Sequence, residues 1–334
     1  MTDIAFEDKH LTLEEGETVL DTLLRAGYDI PNGCRAGICQ SCIMKSDASE
    51  EIAHAQVGLS DAQKTLKYFL SCRCLPSSKI NVQRISLSSQ QTNAEVIDVS
   101  MLNETVIRLR LKASIDYHAG QYLTLWKDGR IARCYSLASH PTLNDYLELH
   151  VKYIKGGEFS AWLRSDVRVG DIMKIQGPFG KCIYAGEKEQ PLLLLAIGTG
   201  LSPIFGILQD AIAKKHQGKI HIVVGARSKE NFYLVEELQK IAAQNKSISL
   251  TYIYQEETNT DTITAQNNTD FASKGDIYQY CKERFDNLKG YRVFICGAES
   301  FCKKMRKQCF LEGADMNAIS VDSFISFTEE KTEG

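Results

Sequence analysis

The 334-residue chain lacks any marked excess of charge: 39 Lys and Arg stand against 42 Asp and Glu, a net charge of −3. Nothing in that balance draws it to nucleic acid or to an anionic membrane surface, so neither is expected as a partner. The first ten residues lack an apolar stretch and carry Asp3, Glu7, Asp8 and Lys9, which argues against a secretory signal. One charge-free run, 191–208, is long enough to span a membrane, but Gly198, Gly200, Ser202 and Pro203 interrupt it. A buried strand, a turn and a helix start explain it without a bilayer. Eleven cysteines is an odd number, so a complete disulfide framework is absent too, and a reducing, cytoplasmic compartment is expected.

What the chain does have is a spacing, Cys34-x4-Cys39-x2-Cys42, followed by Cys72. Iron bound to sulfide takes soft thiolate ligands, and three within nine residues require a loop that wraps the metal with its amides turned inward. Gly33 and Gly37 suit such a loop, and Pro31-Asn32-Gly33 punctuates its start. Structural zinc more often shows two short C-x2-C pairs. Cys74 is an alternative fourth ligand on spacing alone. The pattern is that of plant-type ferredoxins, and Leu70-Ser71-Cys72-Arg73 resembles their fourth-ligand segment. That resemblance implies a 2Fe-2S cluster on Cys34, Cys39, Cys42 and Cys72, with Cys74 a spare thiol and Arg35 or Arg73 tuning the potential. Gln40 departs from the pattern, standing where ferredoxins commonly carry glycine.

Three segments differ in texture, and the expected fold is multi-domain, α+β followed by α/β. Residues 1–88 alternate short strands (Ile4–Phe6, His10–Leu13) with a helix over Thr18–Ala26, a compact unit that the ferredoxin resemblance makes a β-grasp domain. Ser86–Asn93 is polar and reads as a linker. Residues 94–187 carry period-two runs, as in Val106–Leu111 and Tyr146–Tyr153, which predict an antiparallel β-barrel. Residues 188–334 carry the wholly apolar runs Leu192–Ile197, Lys219–Val224 and Tyr291–Ile295 with helical stretches between them, which predict a doubly wound parallel sheet. Glu256–Thr269 is polar and reads as a loop.

In the barrel segment, Arg133-Cys134-Tyr135-Ser136 and Gly156-Gly157-Glu158-Phe159-Ser160 resemble the R-x-Y-S and G-G-x-x-S flavin motifs of the ferredoxin-NADP reductase superfamily. Gly120-Gln121-Tyr122 upstream and Gly177-Pro178-Phe179-Gly180 downstream add to the likeness. The resemblance implies FAD, with Arg133 on its pyrophosphate, Tyr135 stacked on the ring and Ser136 at the edge that receives hydride. Gly156, Gly157, Phe159 and Ser160 open a helix whose amides suit phosphate, and Val151 and Lys152 on the preceding strand join the expected contacts.

Gly198-Thr199-Gly200 follows an apolar strand and precedes a helix, where a doubly wound sheet binds a dinucleotide. It resembles the G-T-G-x-x-P of the same superfamily. Cys296-Gly297-Ala298 resembles that superfamily's C-G-P, with Ala298 in place of proline, which implies that Cys296 lines the hydride site and that Gly297 contacts the coenzyme. Cys182, Cys281, Cys302 and Cys309 read as packing residues. No acidic residue ends the second strand to hold a ribose hydroxyl; Arg227, Ser228 and Lys229 stand there instead and could receive a 2′-phosphate. The run also resembles NADH-using oxygenase reductases, so NADH is the expected coenzyme with NADPH the alternative.

Virtually the whole chain resembles the one-piece reductases of bacterial oxygenases. That implies a relay from NAD(P)H through FAD and the 2Fe-2S cluster to a terminal oxygenase or hydroxylase, or to a deoxysugar dehydrase, as protein acceptor. A non-catalytic redox sensor is the rival reading, against which the hydride-side pair Ser136 and Cys296 speaks. Phe324 or Phe327 is a candidate cover for the flavin face.

Overall fold

The computed structural model describes residues 2–85, 91–129, 131–256 and 271–325. At the N-terminal end β1 (Asp3–Phe6) and β2 (Lys9–Thr12) form an antiparallel pair. Helix α1 (Val19–Arg25) begins where Thr18 and Asp21 cap each other, each main-chain N–H donating to the other's side chain at 3.2 Å. Thr18→Ala would cost about 1 kcal/mol. The apolar stripe of α1 is Val19, Leu20, Leu23 and Leu24: the first three are fully buried in one cluster with Ile4, Phe6, Ile80 and Val82, and Leu24 packs against that cluster half-buried. Next come β3 (Ile43–Lys45), α2 (Ser49–Ile52), α3 (Asp61–Thr65) and β4 (Tyr68–Leu70). Because Ile43 pairs with Leu70, Cys42 and Cys72 emerge from neighbouring strand ends. Strand β5 (Ile80–Val82) returns parallel to β1 and completes a β-grasp unit.

The second sheet holds β6 (Gln91–Asn103), β7 (Val106–Lys112), β8 (Tyr122–Lys127), β9 (Ile131–Ser136), β10 (Leu147–Lys152) and β11 (Ile172–Phe179), with helix α4 (Glu158–Ser165) before the last. Its order is β10-β7-β6-β11-β8-β9, every pair antiparallel, and a bridge between Leu137 and Leu149 joins the two edges into a barrel. Alternate residues such as Leu109, Leu111, Leu123, Leu125, Leu149 and Val151 fill the interior. Here the structure corrects the sequence reading. The supposed linker ends early, because Gln91, Thr92 and Asn93 already pair with Gln176, Ile175 and Lys174 on β11. A main-chain ladder needs no apolar side chains, so polarity misled.

The third sheet is parallel throughout, in the order β15-β14-β13-β12-β16-β17. Along the chain it runs β12 (Leu192–Ile197), α5 (Leu201–Ala213), β13 (Ile220–Ala226), α6 (Val235–Gln244), β14 (Ile248–Tyr254), β15 (Ser273–Lys274), α7 (Ile277–Arg284), β16 (Arg292–Ala298), α8 (Glu299–Leu311) and β17 (Ile319–Phe324). Leu192, Leu194 and Ala196 pack in a cluster with α5 and α6, whereas Leu193 and Leu195 pack with α7 and α8. Both faces are covered, which is why the run is wholly apolar. The chain builds outward from β12 in both directions, so the crevice at its C-terminal end is a topological switch point. Of the loop read over Glu256–Thr269, only Glu256 lies within the described residues.

Candidate electron-transfer centre

The cysteine loop is shaped by left-handed residues: Arg35, Gly37 and Gln40 have φ of 46°, 80° and 55°. Gln40 thus takes the conformation glycine would take freely, at a cost of about 1–2 kcal/mol. Its side chain is anchored in return, donating to Gly58 O at 3.3 Å and accepting from Gln63 Nε2 at 3.0 Å. Inside the loop the amides of Ala36, Ile38 and Cys39 point at Cys34 Sγ from 3.2 to 3.4 Å, the amide of Cys34 points at Cys39 Sγ at 3.4 Å, and Ser41 Oγ lies 3.0 Å from Cys39 Sγ. Main-chain donors aimed at sulfur are what an anionic cluster requires.

The thiols stand as two pairs. Cys39 is the largest influence raising the Cys34 pKa, ahead of burial, and Cys72 the largest raising that of Cys42, again ahead of burial. Among the described residues no three His, Cys, Asp or Glu side chains converge on a single point suited to one metal ion. Four thiols from one loop and a neighbouring strand end, with main-chain donors aimed at their sulfurs, are a donor set that would suit a binuclear iron-sulfur cluster. The raised thiols of Cys34, Cys39 and Cys42 would release protons on binding iron. Cys74 belongs to neither pair: it is fully buried, its Sγ lies 3.9 Å from Glu51 O, and burial pushes its thiol up to about 12.

The loop rests on the barrel. Asn32 bridges Ile131, and a Cβ on Gly33 would lie 2.3 Å from Ala132 O and 3.3 Å from Cys39 Sγ, so only glycine permits the approach. Cys134, on β9 between Arg133 and Tyr135, is the largest influence holding the Cys39 thiol up at about 11. The sequence reading passed over this thiol, since nothing local couples position 134 to position 39.

Between the two candidate flavin motifs, Tyr135 packs on Phe159, ring centroids 5.6 Å apart, and Phe159 lies in the first turn of α4. Gly157 caps that helix, Gly156 has φ 76° with open space around it, and Ser160 Oγ accepts from Ile154 N at 3.0 Å. Arg133 donates to Ala132 O at 2.9 Å. The Val151 side chain is buried in the barrel core, leaving only its main chain for a ligand, while Lys152 is exposed. Ser136 has two partners that the sequence reading missed. Its hydroxyl donates to Asp322 Oδ2 at 2.6 Å, and its carbonyl accepts from Ser202 Oγ, in the first turn of α5, at 2.7 Å. Burial holds the Asp322 carboxyl up at about 6, with the Ser136 hydroxyl pulling it back. The available signal was one acidic residue in an otherwise uncharged final strand, in register with Cys296.

The Gly198-Thr199-Gly200 turn lies directly on β16. A Cβ on Gly200 would stand 2.1 Å from Cys296 O and one on Gly297 2.6 Å from Ile197 Cγ1, so the two main chains touch. Cys296 is fully buried and its thiol is raised well above the usual range, first by burial and then by Cys182. The two sulfurs lie 3.9 Å apart, and Cys182 is buried in the same apolar cluster as Cys296, a packing residue as read from the sequence. Cys281 and Cys309 do lie in the core, as does Cys302, beneath Gly297 O at 3.5 Å.

Three protein-family models match in the same order: a 2Fe-2S iron-sulfur cluster binding domain over residues 4–77, an oxidoreductase FAD-binding domain over 93–184 and an oxidoreductase NAD-binding domain over 194–307. The chain is a ferredoxin-NADP reductase-type oxidoreductase with its own 2Fe-2S domain. This reductase is 28% identical to the reductase component 1 of terephthalate 1,2-dioxygenase from Comamonas sp, over 87% of both chains. It is 25% identical to the CDP-6-deoxy-L-threo-D-glycero-4-hexulose-3-dehydrase reductase of Yersinia pestis, over 94% of this chain and 95% of the other. Among solved structures, the Amycolatopsis cytochrome P450 reductase GcoB shares the fold with a TM-score of 0.67 at 22% identity, over 97% of this chain and 99% of that one. The reductase uses a nicotinamide coenzyme, FAD and a 2Fe-2S cluster for electron transfer. No helix among its described residues is long and apolar enough to cross a membrane. At the end of β13, Arg227 Nε donates to Glu256 Oε2 at 2.8 Å, and the amides of Gln255 and Glu256 both donate to Arg227 O.

Proposed function

We propose that the chain is the NADH-dependent, cytoplasmic reductase component of an oxygenase or hydroxylase system, built as domains over 1–88, 94–187 and 188–334, with the barrel's first strand reaching back to Gln91. The observation that carries this reading is the position of β9. Ala132 and Cys134 face the cysteine loop, Arg133 and Tyr135 belong to the flavin motif, and Ser136 meets the helix that follows the glycine turn. One strand therefore fronts all three binding regions.

Bound FAD supplies the conversion of a two-electron hydride into single electrons, which a 2Fe-2S cluster relays to a protein acceptor. In this reading Cys34, Cys39, Cys42 and Cys72 hold the cluster. Arg133 and the first turn of α4 from Gly156 to Ser160, with Lys152 and the Val151 main chain, hold the FAD phosphates. Tyr135 stacks on the flavin, and Phe324, at the end of the strand that carries Asp322, covers it. Phe327 lies outside the described residues. Gly198, Thr199, Gly200 and Gly297 receive the coenzyme main chain to main chain. Cys296 lines the nicotinamide with a protonated thiol, and Ser136, oriented by Asp322, presents its hydroxyl to the flavin edge. Arg227 takes the adenosine ribose. Glu256 places a carboxylate on that arginine, which opposes a second phosphate and supports NADH over NADPH.

The oxygenase assignment is supported by the terephthalate dioxygenase reductase, which is more alike in sequence than the dehydrase reductase. The test is anaerobic titration of purified, iron-loaded protein with NADH and NADPH, followed by transfer to candidate acceptors co-purified from the source cell. Bleaching of flavin and then cluster by NADH supports the reading. Zinc in place of iron, or no turnover with cytochrome c, would sink it.

A further inference from the structure

Two hydroxyls of the barrel end on the main chain of the cysteine loop. Tyr122 and Thr124 lie on β8, two residues apart and so on one face of the strand. Tyr122 Oη donates to Ile38 O at 3.1 Å and Thr124 Oγ1 to Cys39 O at 3.0 Å, across 84 and 85 residues of sequence. Thr124 is fully buried, and its hydroxyl also lies 3.5 Å from Cys134 Sγ on β9. Tyr122 is held in turn by Phe179, centroids 5.7 Å apart, and by the close approach of Gly180 to its ring.

Both grips fall on the ligand-bearing peptides. The carbonyl that Tyr122 holds shares a peptide plane with Cys39 N–H, which points at Cys34 Sγ at 3.3 Å. In a trans peptide the two point in opposite directions, so fixing the oxygen fixes the aim of the amide. The Thr124 grip fixes the next peptide, between Cys39 and Gln40.

We propose that Tyr122 and Thr124 are positioning residues for electron transfer within the chain: they hold the cluster loop at a fixed separation from the flavin motif. The proposal rests on the functional reading above, and its test separates the two. Holoprotein is prepared as wild type, Tyr122→Phe, Thr124→Val, the double variant and Thr124→Ser, each with iron and flavin content measured. Each is then mixed rapidly with NADH under anaerobic conditions. The expected result is a first phase, flavin reduction, that stays at the wild-type rate in every variant. The second phase, cluster reduction, slows about tenfold in the double variant, the shift in docked population that two lost hydrogen bonds, one buried and one half-buried, produce. Thr124→Ser, which keeps the hydroxyl, restores the rate. A double variant with full iron and flavin that reduces its cluster at the wild-type rate overturns the proposal, as does Thr124→Ser behaving like Thr124→Val. Loss of the cluster from the double variant leaves the decision to the single variants, each expected to slow the second phase about threefold and overturning the proposal if it does not. A wild-type protein without two phases overturns the functional reading instead.

Discussion

Toward the nicotinamide half, the barrel meets α5 and the 230–233 segment through paired side chains, side chain-to-carbonyl bonds and a shared apolar cluster, whereas toward the cysteine loop it offers hydroxyls and strand edge to main chain. On the first side Gln209 donates to Ala138 O at 3.0 Å, His140 lies 3.2 Å from Asp210, Tyr233 lies 3.3 Å from His150, and Asn103 reaches the carbonyls of 230–232. Val106 of the barrel belongs to the same apolar cluster as α5, and Gly206 presses on Leu137 O so closely that a Cβ would stand at 2.8 Å. The difference matches what each boundary must pass. Hydride needs reacting atoms about 3–3.5 Å apart and aligned, so that boundary is welded. An electron crosses a wider gap without a defined angle, so a lighter contact suffices on the other side.

Cys39→Ser breaks the lighter side most completely: cluster colour and iron are expected to be lost while ferricyanide reduction by the flavin survives, as metal analysis and a ferricyanide assay would show. Retained iron would refute the ligand set. Gly200→Val breaks the welded side. A side chain there drives the turn off Cys296 O, and since about 1 Å of misplacement can cost on the order of 100-fold, NADH-dependent flavin reduction is expected to fall by that much with the cluster intact.

Asp322 sharpens the comparison through pH. Its carboxyl holds a proton up to about 6 in the fold against 3.8 as a free side chain, so the folded state binds more protons between those values. Stability is therefore expected to fall as pH rises from about 4 to about 6, by roughly 2–3 kcal/mol, and to stay lower above that. Asp322→Asn should flatten the slope in denaturant midpoints measured across that range; an unchanged slope would remove Asp322 from the account. The smallest effect is at the exposed edge. Glu256→Gln is expected to raise the ratio of NADPH to NADH turnover about threefold, as fits a solvent-exposed ion pair, and an unchanged ratio would show that Glu256 has no part in coenzyme choice.

Legibility followed locality. The cysteine spacing, the Thr18–Ala26 helix, the period-two barrel runs and the apolar strand before Gly198 each express their geometry within a few residues, so the sequence could be read for them. Gln40 was visible as a departure, and its left-handed backbone with two side-chain anchors explains how glutamine occupies a glycine position. Asp322 with Ser136, Cys182 with Cys296, and Tyr122 with Ile38 join positions 186, 114 and 84 residues apart, and no local pattern announces them. The misplaced start of β6 has the opposite cause: its pairing is made by main chain, to which side-chain polarity is blind.

Strand β9 has parity. Arg133 and Tyr135 project to one side and Cys134 to the other, so inserting or deleting one residue within 132–135 would exchange the occupants of the two sides while leaving composition almost untouched. Chimeras that trade the first or last domain among relatives can tolerate joints of varied length, but the count of residues through this stretch has to be kept.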